Sequence, residues 1–210
     1  MNGLLIIKTL PFLFFYYKLN NKLENIQTKK LALNSISLLH ASSSVLLGLN
    51  YLLRSGSPSL IQMNTGGYLL FDIYYMIKAG KLDLLRFMYL YHHMAVFPYL
   101  LLSPTKYYWP QVIFYAELSN IPNYIVYYSL KQDETKNLYK GYKSTRTKSL
   151  LKIQMYFYAF FRIFVLGYYG FLEFNNPDKP IAVYLTSVLY IFCLIWFGAM
   201  VKQNRHSLKL

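Results

Sequence analysis

The chain has 210 residues, of which 55% are hydrophobic and 19% aromatic, and its apolar residues come in long blocks. Such blocks indicate a polytopic membrane protein and exclude an ordinary soluble domain. The net charge of +14 is consistent with the basic cytoplasmic loops of membrane proteins, so we expect no nucleic-acid partner. Cys193 is the only cysteine, which excludes an intramolecular disulfide and a thiolate metal cage.

Seven segments are apolar enough to predict transmembrane helices. A helix needs about 20 apolar residues to cross a hydrocarbon core about 30 Å thick. The first segment, at 3–17, is the least regular, because it is short and contains Lys8 and Pro11. The other six are predicted at 32–53, 58–77, 83–103, 106–130, 149–172 and 181–202.

The basic residues predict how these helices are oriented. With seven spans, one side of the membrane receives seventeen of the 22 Lys and Arg residues, and the other side receives only Arg54, Lys106 and Lys179. We call the first the basic side. Since short cytoplasmic loops carry excess Lys and Arg, the sequence predicts a cytoplasmic C-terminus and an exoplasmic or lumenal N-terminus. Removing the first span leaves the orientation of the other six unchanged.

Ionisable residues fall inside the predicted spans, where an Asp, Lys or Arg costs about 2.5–3.5 kcal/mol on insertion scales. A rise of about 1.5 Å per residue places most of them in the half of the bilayer nearer the basic side. They can satisfy one another only by facing inward. The sequence therefore predicts a polar cavity that opens to the cytoplasm, formed around His40, Asp72, His92, His93, Glu117 and Arg162.

Each of these residues also has a purely structural interpretation. Adjacent helical residues project about 100° apart, so His92 and His93 cannot point in one direction. One of them can be catalytic while the other bonds to a neighbouring helix. Arg162 either neutralises one of the two acidic residues or binds a ligand. For His40 a helix-contact role is favoured.

The histidines are not spaced as a metal site. Membrane hydroxylases and desaturases carry repeated His-x-x-His-His boxes, whereas residues 88–91 contain no histidine and no second box follows. The chain also lacks a nucleophile elbow and a glycine-rich phosphate loop. We therefore expect no metal and no cofactor.

Six short segments, read in order, resemble the motifs of the TLC domain, the membrane family of translocating-chain-associated proteins and longevity-assurance ceramide synthases. The resemblance covers about residues 28–202 and is nearest to the small TLC-domain-containing transmembrane proteins. It rests on a first-helix motif, a glycine-tyrosine-to-aspartate motif, a His-His pair, a glutamate-serine segment, a late arginine and a tryptophan before a basic tail. These lie at 34–41, 67–72, 91–93, 116–123, 161–162 and 196–197.

The resemblance implies an all-α integral membrane protein, with a six-helix TLC bundle preceded by one N-terminal transmembrane helix. Its parts would be an N-terminal helix and basic loop at 1–27, the TLC domain at 28–202 and a cytoplasmic tail at 203–210. It also implies residence in the endoplasmic reticulum, with the plasma membrane as the alternative. The partners would be membrane lipids, such as a phospholipid, an acyl chain or a sphingoid base.

The favoured function is binding or regulation of membrane lipids through the polar cavity. The alternative is N-acylation of a sphingoid base with acyl-CoA as substrate, as in ceramide synthases; a structural or translocation-accessory role is the third. The second aspartate of the ceramide synthase motif falls at Asn120, which leaves the carboxylate pair incomplete. If the chain is an enzyme, the catalytic residues would be His92, His93 and Glu117. The residues that bind lipid or substrate would be His40, Asp72, Ser119, Asn120 and Arg162.

Overall fold

The computed structural model describes residues 3–80, 84–102, 108–136, 143–175 and 180–208, and their regular structure is entirely helical. The elements are α1 (Gly3–Glu24), α2 (Lys29–Arg54), α3 (Pro58–Lys78), α4 (Leu84–Leu102), α5 (Trp109–Lys136), α6 (Thr145–Tyr158), the π-helical segment (Ala159–Val165), α7 (Leu166–Phe174) and α8 (Pro180–Leu208). The helix α6, the π-helical segment and α7 follow one another without a break and form one long helix.

All seven predicted segments fold as helices. The first is longer than predicted, because α1 continues through Pro11 to Glu24. The predicted span ends at 83, 103 and 106 lie outside the described residues. Sequence therefore located the helices correctly, and the clearest difference is the extension of α1 beyond its apolar block.

Within the described residues, three helical stretches are long and apolar enough to cross a membrane, so the chain is a helical membrane protein. They are Lys29–Arg54, Thr145–Leu172 and Val183–Arg205. Large exposed apolar side chains agree with a lipid-facing surface: Phe160, Phe164 and Phe171 are each more than half exposed along the same long helix. That all seven helices cross the membrane stays a prediction.

Two adjacent glycines allow α1 to pack closely against α3. A Cβ atom on Gly67 would lie 2.5 Å from Phe12 Cβ and 2.9 Å from the backbone nitrogen of Leu13. A Cβ atom on Gly66 would lie 2.9 Å from Thr9 Cγ2. Since real side chains do not tolerate such separations, only glycine permits this approach.

The junction between α5 and α6 is held by hydrogen bonds near the basic side. Asp133 Oδ2 accepts from the backbone nitrogen of Ser144 at 2.8 Å and from its hydroxyl at 3.0 Å. Ser129 and Thr147 join their hydroxyls at 2.6 Å, and Ser144 caps the start of α6. Burial opposes ionisation of Asp133, but the hydrogen bonds from Thr147 and Ser144 hold its pKa below the usual value.

Candidate functional site

A cavity of about 530 Å³ lies inside the bundle and is lined by residues from α2 to α8. Along α8 its wall runs from Thr186 to Gln203, which is ~25 Å at about 1.5 Å per residue and so approaches the ~30 Å hydrocarbon thickness. Its apolar part is lined by Leu69, Val96, Ile113, Leu166 and Leu189. Its polar part, nearer the basic side, is lined by Asp72, His92, His93, Glu117, Asn120 and Arg162.

A carboxylate–imidazole pair connects α3 and α4 in the polar part. Asp72 Oδ2 lies 3.0 Å from His93 Nδ1, and both side chains are only partly buried. His93 Nδ1 is buried and makes no hydrogen bond within the described residues, so Asp72 lies within ion-pair distance of it without an aligned hydrogen bond. A hydrogen on Nδ1, beside the carboxylate, would leave Nε2 as the proton or hydrogen-bond acceptor.

His92 contacts a different helix, as the 100° offset between neighbouring residues requires. Its ring packs at 5.0 Å from the Trp196 ring and 6.2 Å from the Phe192 ring, both on α8. Its Nδ1 is buried without a partner in the described part of the chain. The two histidines therefore have different surroundings, and His92 meets its neighbouring helix through ring packing.

Glu117 is paired with His40 behind the cavity wall. His40 Nε2 lies 3.6 Å from Glu117 Oε1, and the His40 ring stacks on Tyr68 with centroids 4.0 Å apart. His40 is fully buried and does not line the cavity. His40 therefore contacts the Glu117 carboxylate from the side that faces away from the cavity.

A polar cluster between α1, α2 and α3 orients the His40 ring. Tyr16 donates its hydroxyl to Asn64 Oδ1 at 2.5 Å, and Asn64 Nδ2 donates to Ser43 and Ser44 at 3.0 and 2.9 Å. Ser44 Oγ lies 3.4 Å from His40 Nδ1, so its hydrogen can point to that nitrogen. With the hydrogen of the neutral ring on Nε2, the nitrogen that faces Glu117, Nδ1 can accept from Ser44.

Sequence analysis missed this cluster. Polar side chains at 43–44 and 64 within predicted spans are the signal that would have revealed it, because such groups need partners in hydrocarbon.

Arg162 lies in the π-helical segment and is buried among neutral acceptors. It donates from Nε to Ser119 Oγ at 2.8 Å, and from Nη2 to the Ala116 carbonyl at 3.0 Å and to Asn120 Oδ1 at 3.1 Å. Ser119 is also fully buried and lies outside the cavity lining. The π-helical turn could not be foreseen from its apolar sequence; such turns are frequent at functional sites.

Asn120 links Arg162 to Glu117. Its Nδ2 donates to Glu117 Oε2 at 3.1 Å, while its Oδ1 accepts from Arg162. No carboxylate lies within 4 Å of Arg162 in the described residues, so the direct ion pair with Glu117 or Asp72 considered from sequence does not form. An aspartate at this position could accept from Arg162 but, when ionised, could not donate to Glu117.

Among the described residues, no three His, Cys, Asp or Glu side chains converge as metal ligands. Comparison with known proteins found no matching family model, and neither a curated protein nor a solved structure with significant similarity. The assignment to the TLC domain therefore remains a prediction from the motifs.

Proposed function

We propose that this chain is a TLC-type membrane protein that binds a lipid inside its helix bundle and so presents or regulates membrane lipids. The observation that carries the proposal is the 530 Å³ cavity, which joins an apolar part to a part lined by Asp72, His93, Glu117 and Arg162. The apolar part suits an acyl chain, and the charged part suits a lipid polar group.

The polar group would supply most of the affinity. Moving an acyl chain from the bilayer into an apolar cavity gains little, because lipid tails are as apolar as the cavity wall. Hydrogen bonds and charges, in contrast, are strong where water is excluded. Selectivity among lipids should therefore follow the headgroup rather than the chain.

The proposal includes the topology that the charges predict. Seven spans with the basic side in the cytoplasm would open the polar part of the cavity toward the cytoplasm. Residence in the endoplasmic reticulum belongs to the same proposal and rests on the TLC resemblance.

The test is to identify the lipids that stay with the purified protein. Native mass spectrometry would compare the wild type with His93→Ala, which removes a cavity side chain, and with Met94→Ala, which removes an exposed side chain on the same helix. We expect His93→Ala to lose the bound lipid and Met94→Ala to keep it. An identical lipid profile in all three proteins would refute binding in the cavity.

A second function, acyl transfer to an amine or alcohol, is favoured by the Asp72–His93 pair. Asp72 lies 3.0 Å from His93 Nδ1, and with the ring hydrogen on that nitrogen, His93 Nε2 would take the proton from an acceptor as it attacks the thioester carbonyl of acyl-CoA. The carbon–sulfur bond then breaks, and the CoA thiolate leaves with a proton returned by the imidazole. Of the two acidic residues, Asp72 is the one that lies beside His93 and would orient it.

Acyl-CoA consumption separates the two functions. Purified protein in lipid nanodiscs, given a long-chain base as acceptor, would be compared with His93→Ala and His92→Ala. An amide product lost in His93→Ala and retained in His92→Ala would support transfer through the Asp72–His93 pair. Absence of turnover by folded wild-type protein would exclude this reaction and leave lipid binding.

A further inference from the structure

At and near Arg162, some hydrogen-bond donors have only a weak acceptor, or none, within the described residues. Arg162 uses Nε and Nη2 in full, whereas Nη1 contacts Cys193 Sγ at 4.0 Å, a weak acceptor. The Tyr158 hydroxyl and the Trp196 indole nitrogen are buried without a partner in the described residues. All of these side chains line the cavity.

The three donors occupy one part of the cavity wall. Tyr158 and Arg162 are one helical turn apart, and the guanidinium carbon lies 5.8 Å from the Tyr158 ring centroid. On α8, Cys193 touches Arg162 and precedes Trp196 by one turn. Donors from two helices thus lie within about one helical turn of the Arg162–Cys193 contact.

Their combined chemistry calls for an anion. A guanidinium stays protonated in proteins and has no acceptor atom, and an indole nitrogen only donates. Glu117 carries the nearest acidic group in this hydrogen-bonded chain, but Asn120 separates it from Arg162. A buried charge without an anionic neighbour is costly, so an anionic ligand would stabilise this site.

We propose that Tyr158, Arg162 and Trp196 form a binding site for the carboxylate of a single-chain fatty acid. This assignment rests on the proposed lipid-binding function and names its ligand class. The carboxylate oxygens would accept from Nη1, the phenol and the indole, which leaves the existing contacts of Arg162 unchanged.

The position of the site favours a fatty acid over a phospholipid. From Arg162 to Gly170 the lining extends ~12 Å at about 1.5 Å per residue, toward the apolar part. A chain that begins at the carboxylate carbon can enter this part directly. A carboxylic acid can also reach a buried site in its neutral form, whereas a phosphate group keeps its charge.

The experiment measures equilibrium binding of palmitate, hexadecanol and a palmitoyl lysophosphatidate to full-length protein in nanodiscs. The variants Tyr158→Phe and Trp196→Phe each remove a hydrogen-bond donor and keep an aromatic ring. Arg162→Lys keeps the positive charge and removes the planar guanidinium group with its paired N–H donors. Tyr156→Phe, on the exposed face of α6, is the matched control. Thermal unfolding identifies any variant that fails to fold.

We expect wild-type protein to prefer palmitate over hexadecanol. Tyr158→Phe and Trp196→Phe should each weaken palmitate binding about tenfold, the size of one charge-assisted hydrogen bond, and leave hexadecanol binding unchanged. Tyr156→Phe should match the wild type.

Equal binding of palmitate and hexadecanol, unaffected by the two aromatic substitutions, would overturn the carboxylate site while leaving lipid binding intact. A preference for lysophosphatidate over palmitate would also overturn it, in favour of a phosphate ligand. Failure of folded wild-type protein to bind any of the three probes would refute both the site and the proposed lipid-binding function for single-chain lipids.

Discussion

Replacing Asn120 with Leu tests whether its amide joins Glu117 to Arg162. Leu has a similar shape but can neither donate to Glu117 Oε2 nor accept from Arg162 Nη2, each at 3.1 Å. A hydrogen bond to a charged group contributes about 1.5–3 kcal/mol, and the strongest measured between transmembrane helices reach about 1.7 kcal/mol. Taking about 1.5 kcal/mol for each bond, we expect the free energy of unfolding to fall by about 3 kcal/mol.

The assay is reversible unfolding of the purified protein in mixed detergent micelles, with Asn123→Leu as control. Asn123 lies one turn further along α5, accepts a neutral hydrogen bond from Gln154 Nε2 at 3.0 Å and donates a long one to Asn120 Oδ1 at 3.5 Å. At about 0.6 kcal/mol for each neutral bond, the average in membranes, its substitution should cost about 1.2 kcal/mol. If Asn120→Leu costs no more than this control, the amide is not an energetically important link.

A mutant cycle then tests the path of the coupling. Arg162→Met and Glu117→Gln should show non-additive effects on unfolding in the wild-type background, because both residues bond to Asn120. In the Asn120→Leu background their effects should add. Coupling that persists without Asn120 would mean that the two charges interact directly across the cavity, contrary to this geometry.

Three further predictions concern the helix contacts, the α5–α6 junction and the topology. Gly67→Ala should lower the free energy of unfolding by about 1–3 kcal/mol through overpacking against α1. The control Gly198→Ala should be neutral or stabilising, because an added Cβ there has no atom within 4 Å. Equal effects of the two substitutions would refute the close approach of α1 and α3. Because the pKa of Asp133 is lowered, its contribution is present above the ordinary aspartate pKa and is lost as the pH falls through the lowered value. Amide hydrogen exchange at Ser144 should therefore accelerate over that acidic range in the wild type and not in Asp133→Asn. A cysteine at Lys202, in a Cys193→Ala background, should react with impermeant thiol reagents from the cytoplasmic side; labelling from the opposite side alone would reverse the predicted orientation.

Hydropathy sufficed to locate the helices, because each apolar block is a local property of the chain. All seven predicted segments fold as helices, and α1 differs only in continuing past its apolar block to Glu24. The same local information identified the ionisable residues that need partners in hydrocarbon.

The partners of these residues were decided by the tertiary structure. The sequence left open whether Arg162 forms an ion pair with an acidic residue or binds a ligand. In the folded chain Asp72 meets His93, Glu117 meets His40, and Asn120 separates Glu117 from Arg162. Which atoms meet depends on the rotation of each helix about its axis and on the π-helical turn that carries Arg162. Helix rotation and the π-helical turn arise from packing between distant segments. The sequence therefore predicts how deep a residue lies along its helix, but not which residue it contacts across the bundle.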